Sequence, residues 1–200
     1  MKPYKQSTIY TAASTSLMII INHFKSSFKL TQKNEFLIWQ NTATLPTRGS
    51  SLFALANFAK EQGLKPIVIV GDPNYKFPRY RFKGYKKVEI DIANKNSGYH
   101  KTQSKDLNIP IKISNFNLED VKQLLYKGKT LLLRINIGIL RQSKYNKLNV
   151  HYIPVYNYGN NKFAVMDPSR GKLIINEALF KEAFEAVETK CKRDNRMIIF

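Results

Sequence analysis

Apolar positions along this chain recur with two periods, and the points where the period changes mark its elements. Leu17, Ile20, Ile21 and Phe24 return at helical spacing behind Ser14, Thr15 and Ser16, any of which can cap a helix. A helix is therefore expected from Ala13 to Phe24. Gln32 to Gln40, carrying Phe36 and Trp39, reads as a second. Ser51 to Gln62 reads as a third, with Leu52, Leu55, Ala56 and Ala59 on one face and Gly63 placed to stop it. Pro66 to Val70 is an unbroken apolar run, a buried strand ended by Gly71-Asp72-Pro73. Tyr75 to Lys112 is polar, basic and weakly periodic, and reads as a lid-like insertion with a short helix over Val88 to Ala93.

The pattern sharpens again beyond it. Asn117 opens a helix carrying Val121, Leu124 and Leu125, closed by Gly128. Thr130 to Ile135 is a strand. Val150 to Tyr158 and Lys162 to Met166 form a hairpin across Gly159-Asn160-Asn161. Asn176 caps a last helix through Thr189, and Met197 to Phe200 closes the chain as a strand. Three helices come first and most strands come late, which predicts an α+β fold: a helical N-terminal part on an antiparallel sheet. No repeat or low-complexity linker divides the chain, so one domain is expected over 1–200, with an insertion at 75–110.

Composition narrows the function classes. Residues of the hydrophobic class make up 43% of the chain, enough for a core, yet the longest apolar run, Leu17 to Ile21, is far short of a membrane span. The N-terminus lacks signal-peptide order. Cys191 is the one cysteine, so no internal disulfide forms, and a reducing, cytoplasmic setting is expected. His23, His100 and His151 are far apart, no ligand spacing is present, and neither a metal nor another cofactor is expected. The 33 basic residues against 14 acidic ones give +19, which favours acidic partners: an acidic peptide, nucleic acid or an anionic surface. Lys76, Arg79, Arg81, Lys83, Lys86 and Lys87 alternate with Phe77, Tyr80, Phe82 and Tyr85, a pattern that serves an edge strand or single-stranded nucleic acid.

Three segments carry candidate chemistry. Gln6 is followed by five residues, then Ala12-Ala13 and a small-polar run opening the first apolar helix. His151 opens the alternating run His151-Tyr152-Ile153-Pro154-Val155. Asp167-Pro168 ends the next strand. Order and spacing resemble the bacteriocin-processing, double-glycine-leader cysteine peptidases and their stand-alone relatives, which place a cysteine where this chain has Ala12. Phe36 to Gly63 is similar to the stand-alone relatives as well, and the resemblance covers most of the chain outside Tyr75 to Pro110. It implies a papain-like fold. It also implies a site in which a thiol at a helix N-terminus is polarised, His151 takes and returns the proton, Asp167 fixes the imidazole, and Gln6 steadies the oxyanion. Tyr10, Thr11 and Tyr152, beside these positions, are the substrate-binding residues it implies.

Ala12 is the departure from that pattern. It is either an exchange of the nucleophile or the mark of a natural pseudopeptidase, and intact Gln6, His151 and Asp167 favour the exchange. Ser14 and Ser16 are displaced along the helix. The resemblance implies cleavage after a small-residue pair at the end of a leader peptide. Binding without cleavage, acyl transfer to an amine, and nucleic-acid binding stay open beside it. Acidic leaders are expected to meet Lys76 to Lys87, with Lys144 and Lys147.

Overall fold

The computed structural model describes residues 1–72, 84–144 and 148–200. In chain order its elements are α1 (Ala12–Phe24), α2 (Gln32–Thr42), β1 (Ala43–Thr44), β2 (Gly49–Ser50), α3 (Leu52–Glu61), β3 (Ile67–Val70) and α4 (Lys87–Asp106), then β4 (Ile111–Ile113), α5 (Leu118–Tyr126), β5 (Leu131–Asn136) and α6 (Ile137–Leu140), and last β6 (Val150–Gly159), β7 (Lys162–Asp167), β8 (Gly171–Asn176), α7 (Glu177–Thr189) and β9 (Arg196–Ile199). Seven strands form one sheet in the order β4-β3-β9-β5-β6-β7-β8. Only the β3–β4 pair is parallel among them.

β5 is an unbroken apolar run because the sheet is covered on both faces. Leu131, Leu133 and Ile135 pack with α5 and α7 through Val121, Leu125, Phe180 and Phe184. Leu132 turns to the other face, where Leu17, Ile20 and Ile21 of α1 and Leu55 of α3 meet Val68, Tyr152 and Ile198. α1 is buried along nearly its whole length, as a helix with sheet beneath it and α2 and α3 against its flanks must be. The helical N-terminal part thus lies on a mainly antiparallel sheet, as the pattern predicts. α5 and α7 occupy the opposite face, while α4 packs on α3.

Parts of the reading change, and β1, β2, β4 and α6 are additions to it. The helix expected over Val88 to Ala93 runs from Lys87 to Asp106. Its periodicity is weak because Ala93 and Ser104 are its buried positions, and it is anchored by polar contacts. The Ser104 hydroxyl donates to Asn57 Oδ1 of α3 at 2.6 Å, and Asn57 Nδ2 donates to the His100 carbonyl at 3.0 Å. β8 was not foreseen: it is an edge strand with Ile175 buried and Ile174 exposed. The stretch from Lys76 to Lys83 and Lys147 lie outside the described residues.

Asn176 caps α7 as expected, its Oδ1 accepting from the Leu179 N–H at 2.8 Å. Asn176→Ala is expected to lower stability by about 1 kcal/mol, read as a shifted urea midpoint at constant slope.

Candidate functional site

The site is built where the N-terminal loop enters α1. Thr8 and Thr11 close a turn: the Thr8 N–H donates to Thr11 Oγ1 at 3.2 Å, and that hydroxyl donates to the Thr8 carbonyl at 3.0 Å. Thr11 is the N-cap, and its carbonyl accepts from the Thr15 N–H at 2.8 Å. Ala12 is therefore the first residue of the helix.

Glu35 of α2 fixes this loop. It is fully buried. Its oxygens accept from the Ser7 N–H at 2.8 Å, the Ser7 hydroxyl at 2.6 Å and the Thr15 hydroxyl at 3.0 Å. Among the described residues no cation pairs with it. Burial alone would push this carboxyl up; the polar groups of Ser7, Thr11 and Thr15 outweigh it and hold Glu35 below its ordinary value. No sequence signal marks Glu35, a single carboxylate on a mostly polar helix.

Tyr10, Ala12, His151 and Tyr152 line one cavity of about 270 Å³. Tyr10 is held by two groups. Trp39 stacks on it at 6.4 Å and 11°, and the Arg48 guanidinium lies 4.9 Å from its ring centre and donates to its hydroxyl at 3.0 Å. The Tyr152 hydroxyl accepts from Arg134 Nη2 at 2.8 Å. Thr11 is buried beneath the site and does not line the cavity.

Gln6 and Asp167 lie together but outside the cavity lining. The Gln6 N–H donates to the Pro168 carbonyl at 2.7 Å, and the Ser169 hydroxyl donates to Gln6 Oε1 at 3.1 Å. The Gln6 amide nitrogen donates to the Thr8 carbonyl at 2.6 Å. Asp167 is completely buried and grips Arg141 with both oxygens, at 2.7 Å from Nε and 2.6 Å from Nη2. The same carboxylate accepts from the N–H groups of Ser169 and Arg170. Burial pushes the Asp167 carboxyl up; Arg141 and these N–H groups overcome that and hold it below its ordinary value. Both Asp167 oxygens are committed to these partners, and none of its hydrogen bonds goes to His151.

Other side chains the sequence raised are accounted for. Ser14 and Ser16 are buried in α1. Cys191 is buried against Val150, the residue before His151, with Asn136 Nδ2 donating to its sulfur at 3.3 Å. Sequence reading missed the arginines of the cavity, Arg48, Arg134, Arg193 and Arg196. A signal for two of them was present. Arg134 interrupts the apolar run of β5, and Arg196 opens β9, positions where a charge needs a reason.

Comparison with known proteins places this geometry. The model of the Peptidase_C39 like family matches residues 1–189. No curated protein sequence matches the chain. A solved structure of a double glycine motif protease from an AMS/PCAT transporter, in complex with the leader peptide, superposes with a TM-score of 0.54 at 11% identity, covering 100% of this chain and 91% of that one. The fold is the α+β papain-like one. Among the described residues no helix is long and apolar enough to cross a membrane.

Proposed function

Because the chain belongs to the Peptidase_C39 like family, we propose that it holds a peptide in the cavity between α1 and β6, and that with alanine at position 12 it binds this peptide without cutting it. One observation carries the reading. Ala12, the first residue of a buried helix, lines the same cavity as His151 and offers only a methyl group. A helix-start position that shares a cavity with an imidazole is what a thiol-peptidase site calls for, and alanine supplies no nucleophile there. The pairing of Asp167 with Arg141 supports the same reading, since the carboxylate makes its hydrogen bonds there and none to the His151 imidazole. The similar protease was solved with its leader peptide, which favours a peptide, ending in small residues, as the ligand.

Two measurements test this. A fluorescent peptide with a Gly-Gly pair is expected to bind the protein saturably and to be recovered intact by mass spectrometry after long incubation. A cleavage product made by the purified chain would overturn the reading. Separately, Ala12→Cys is expected to give a thiol that alkylates with an apparent pKa below the free value of about 8.5, because the helix N-terminus stabilises the thiolate. His151→Ala in that background is expected to move the pKa back up. A titration at or above the free value would mean that position 12 is not an activated site. Turnover by Ala12→Cys is expected to stay low while Arg141 occupies Asp167. Running it with an added amine separates hydrolysis from acyl transfer.

A further inference from the structure

The floor of the cavity is a row of cations set across the sheet. Leu132 and Ile198 face α1, so by strand alternation Arg134 and Arg196, two residues away on β5 and β9, face the same way. The β5–β9 register pairs Leu133 with Met197, and one step further sets Arg134 opposite Arg196. Tyr152 of β6 pairs with Arg134 on the other side. Like charges directly opposite one another are destabilising in a sheet. Here Asp194 bridges them, 3.1 Å from Arg134 Nη1 and 2.7 Å from Arg196 Nε. Arg134 and Arg196 are each only 2% exposed. Arg193 and Arg48 add two more guanidiniums to the lining.

Among the described residues no aspartate or glutamate lines this cavity. Four arginines line it; Asp194 bonds to two of them through its carboxylate, and Asp72 bonds to Arg196 through its backbone carbonyl at 2.8 Å. Among these six residues cations outnumber anions by two. Residues 73–83 and 145–147 contain no Asp or Glu, so they bring no carboxylate to balance it. An arginine fork matches a carboxylate in shape, and the match is strongest where water is thin.

We propose that this arginine floor is a carboxylate subsite next to position 12. Resting on the peptide-binding reading above, it means that the bound peptide carries an acidic group within a residue or two of its small pair: an aspartate or glutamate side chain, or its own terminal carboxylate. Arg134 and Arg196 are fixed in place by Asp194, and Arg48 by Tyr10, so they need little reordering when the anion arrives. The acidic preference expected from the +19 charge acquires a specific location, on residues other than the Lys76 to Lys87 stretch.

The test uses the full chain and three peptides of one length around a Gly-Gly pair. The first has a glutamate and an amidated end. The second has glutamine in its place and a free carboxylate. The third has glutamine and an amidated end. Binding is measured by anisotropy at 50 and 300 mM salt. At least one acidic peptide is expected to bind tenfold or more tighter than the neutral one, and the arm that wins identifies the source of the carboxylate. Arg48→Gln with Arg193→Gln, both outside the buried Asp194 bridge, is expected to erase that preference, so that acidic and neutral peptides bind the variant alike. Equal binding of all three peptides overturns the subsite and leaves the peptide-binding reading standing. Binding of none overturns that reading and the subsite with it. Single-stranded DNA of matched charge, if it binds far tighter than every peptide, overturns the choice of a peptide carboxylate.

Discussion

Arg141→Met is expected to lower the unfolding free energy by about 3–5 kcal/mol, the usual cost of stranding one member of a buried ion pair. Asp167 has no exposed surface and takes two short hydrogen bonds from Arg141. The Ser169 and Arg170 N–H groups remain in the variant, but no cation replaces the guanidinium. A double variant, Arg141→Met with Asp167→Leu, is expected to recover most of the loss, because apolar groups of similar size fill the site without a stranded charge. The pH profile separates the two proteins. In the parent the Asp167 carboxyl lies below its unfolded value of about 3.9, so the stability it adds is whole above that pH and is lost as pH falls through the folded value. Without Arg141 burial dominates and raises the carboxyl. The sign then reverses, and the variant loses stability as pH rises through the raised value. Urea midpoints that agree for parent and Arg141→Met across this range would show that the pair does not carry the turn after β7.

How much of this was legible beforehand follows from how far each interaction reaches along the chain. α1, β5, the β6–β7 hairpin and α7 are written in local periods and caps, and Leu17, Leu133, Val155 and Asn176 sit where those patterns put them. Ala12 and His151 were legible as a pair through the order and spacing of the motif, and they line one cavity. What the sequence hid is long-range and polar. Arg141 reaches Asp167 across 26 positions, Ser7 reaches Glu35 across 28, and Arg134 reaches Asp194 across 60. Glu35 and Asp194 lie in segments whose local pattern calls only for a solvated charge, and the motif that marks Asp167 points to His151, not to Arg141. The fold decides otherwise, by bringing a strand end, a helix face or a loop over it. The extent of α4 was hidden for a related reason: it is held through Asn57, His100 and Ser104, which leave no apolar stripe to read.

Glu35→Ala is expected to be the other large effect, and it acts on both the fold and the site. Three hydrogen bonds end on this carboxylate, from the Ser7 N–H, the Ser7 hydroxyl and the Thr15 hydroxyl. Hydrogen bonds to a charged group contribute more than neutral ones, and here the donors lose their acceptor without gaining full access to water. Removing it is expected to cost about 3 kcal/mol, with a void in α2 added to the lost bonds. Glu35→Gln keeps the volume and one acceptor oxygen, so its cost is expected to be about half. The acid limb of the stability curve carries the same signature. The Glu35 carboxyl sits below its unfolded value of about 4.3, so its contribution is complete above that pH and is lost as pH falls through the folded value. Glu35→Gln has no such proton to take up, and its curve is expected to be flatter there. The consequence for function comes through position. Ser7 lies between Gln6 and the Thr8–Thr11 turn that starts α1, so freeing it loosens the wall of the cavity that carries Tyr10 and Ala12. Peptide affinity in Glu35→Ala is expected to fall at least tenfold at a temperature where the protein is still folded, while Glu35→Gln keeps most of it. Unchanged affinity in a folded Glu35→Ala protein would show that the loop holds its shape without α2, and that the cavity is set by α1 and β6 alone.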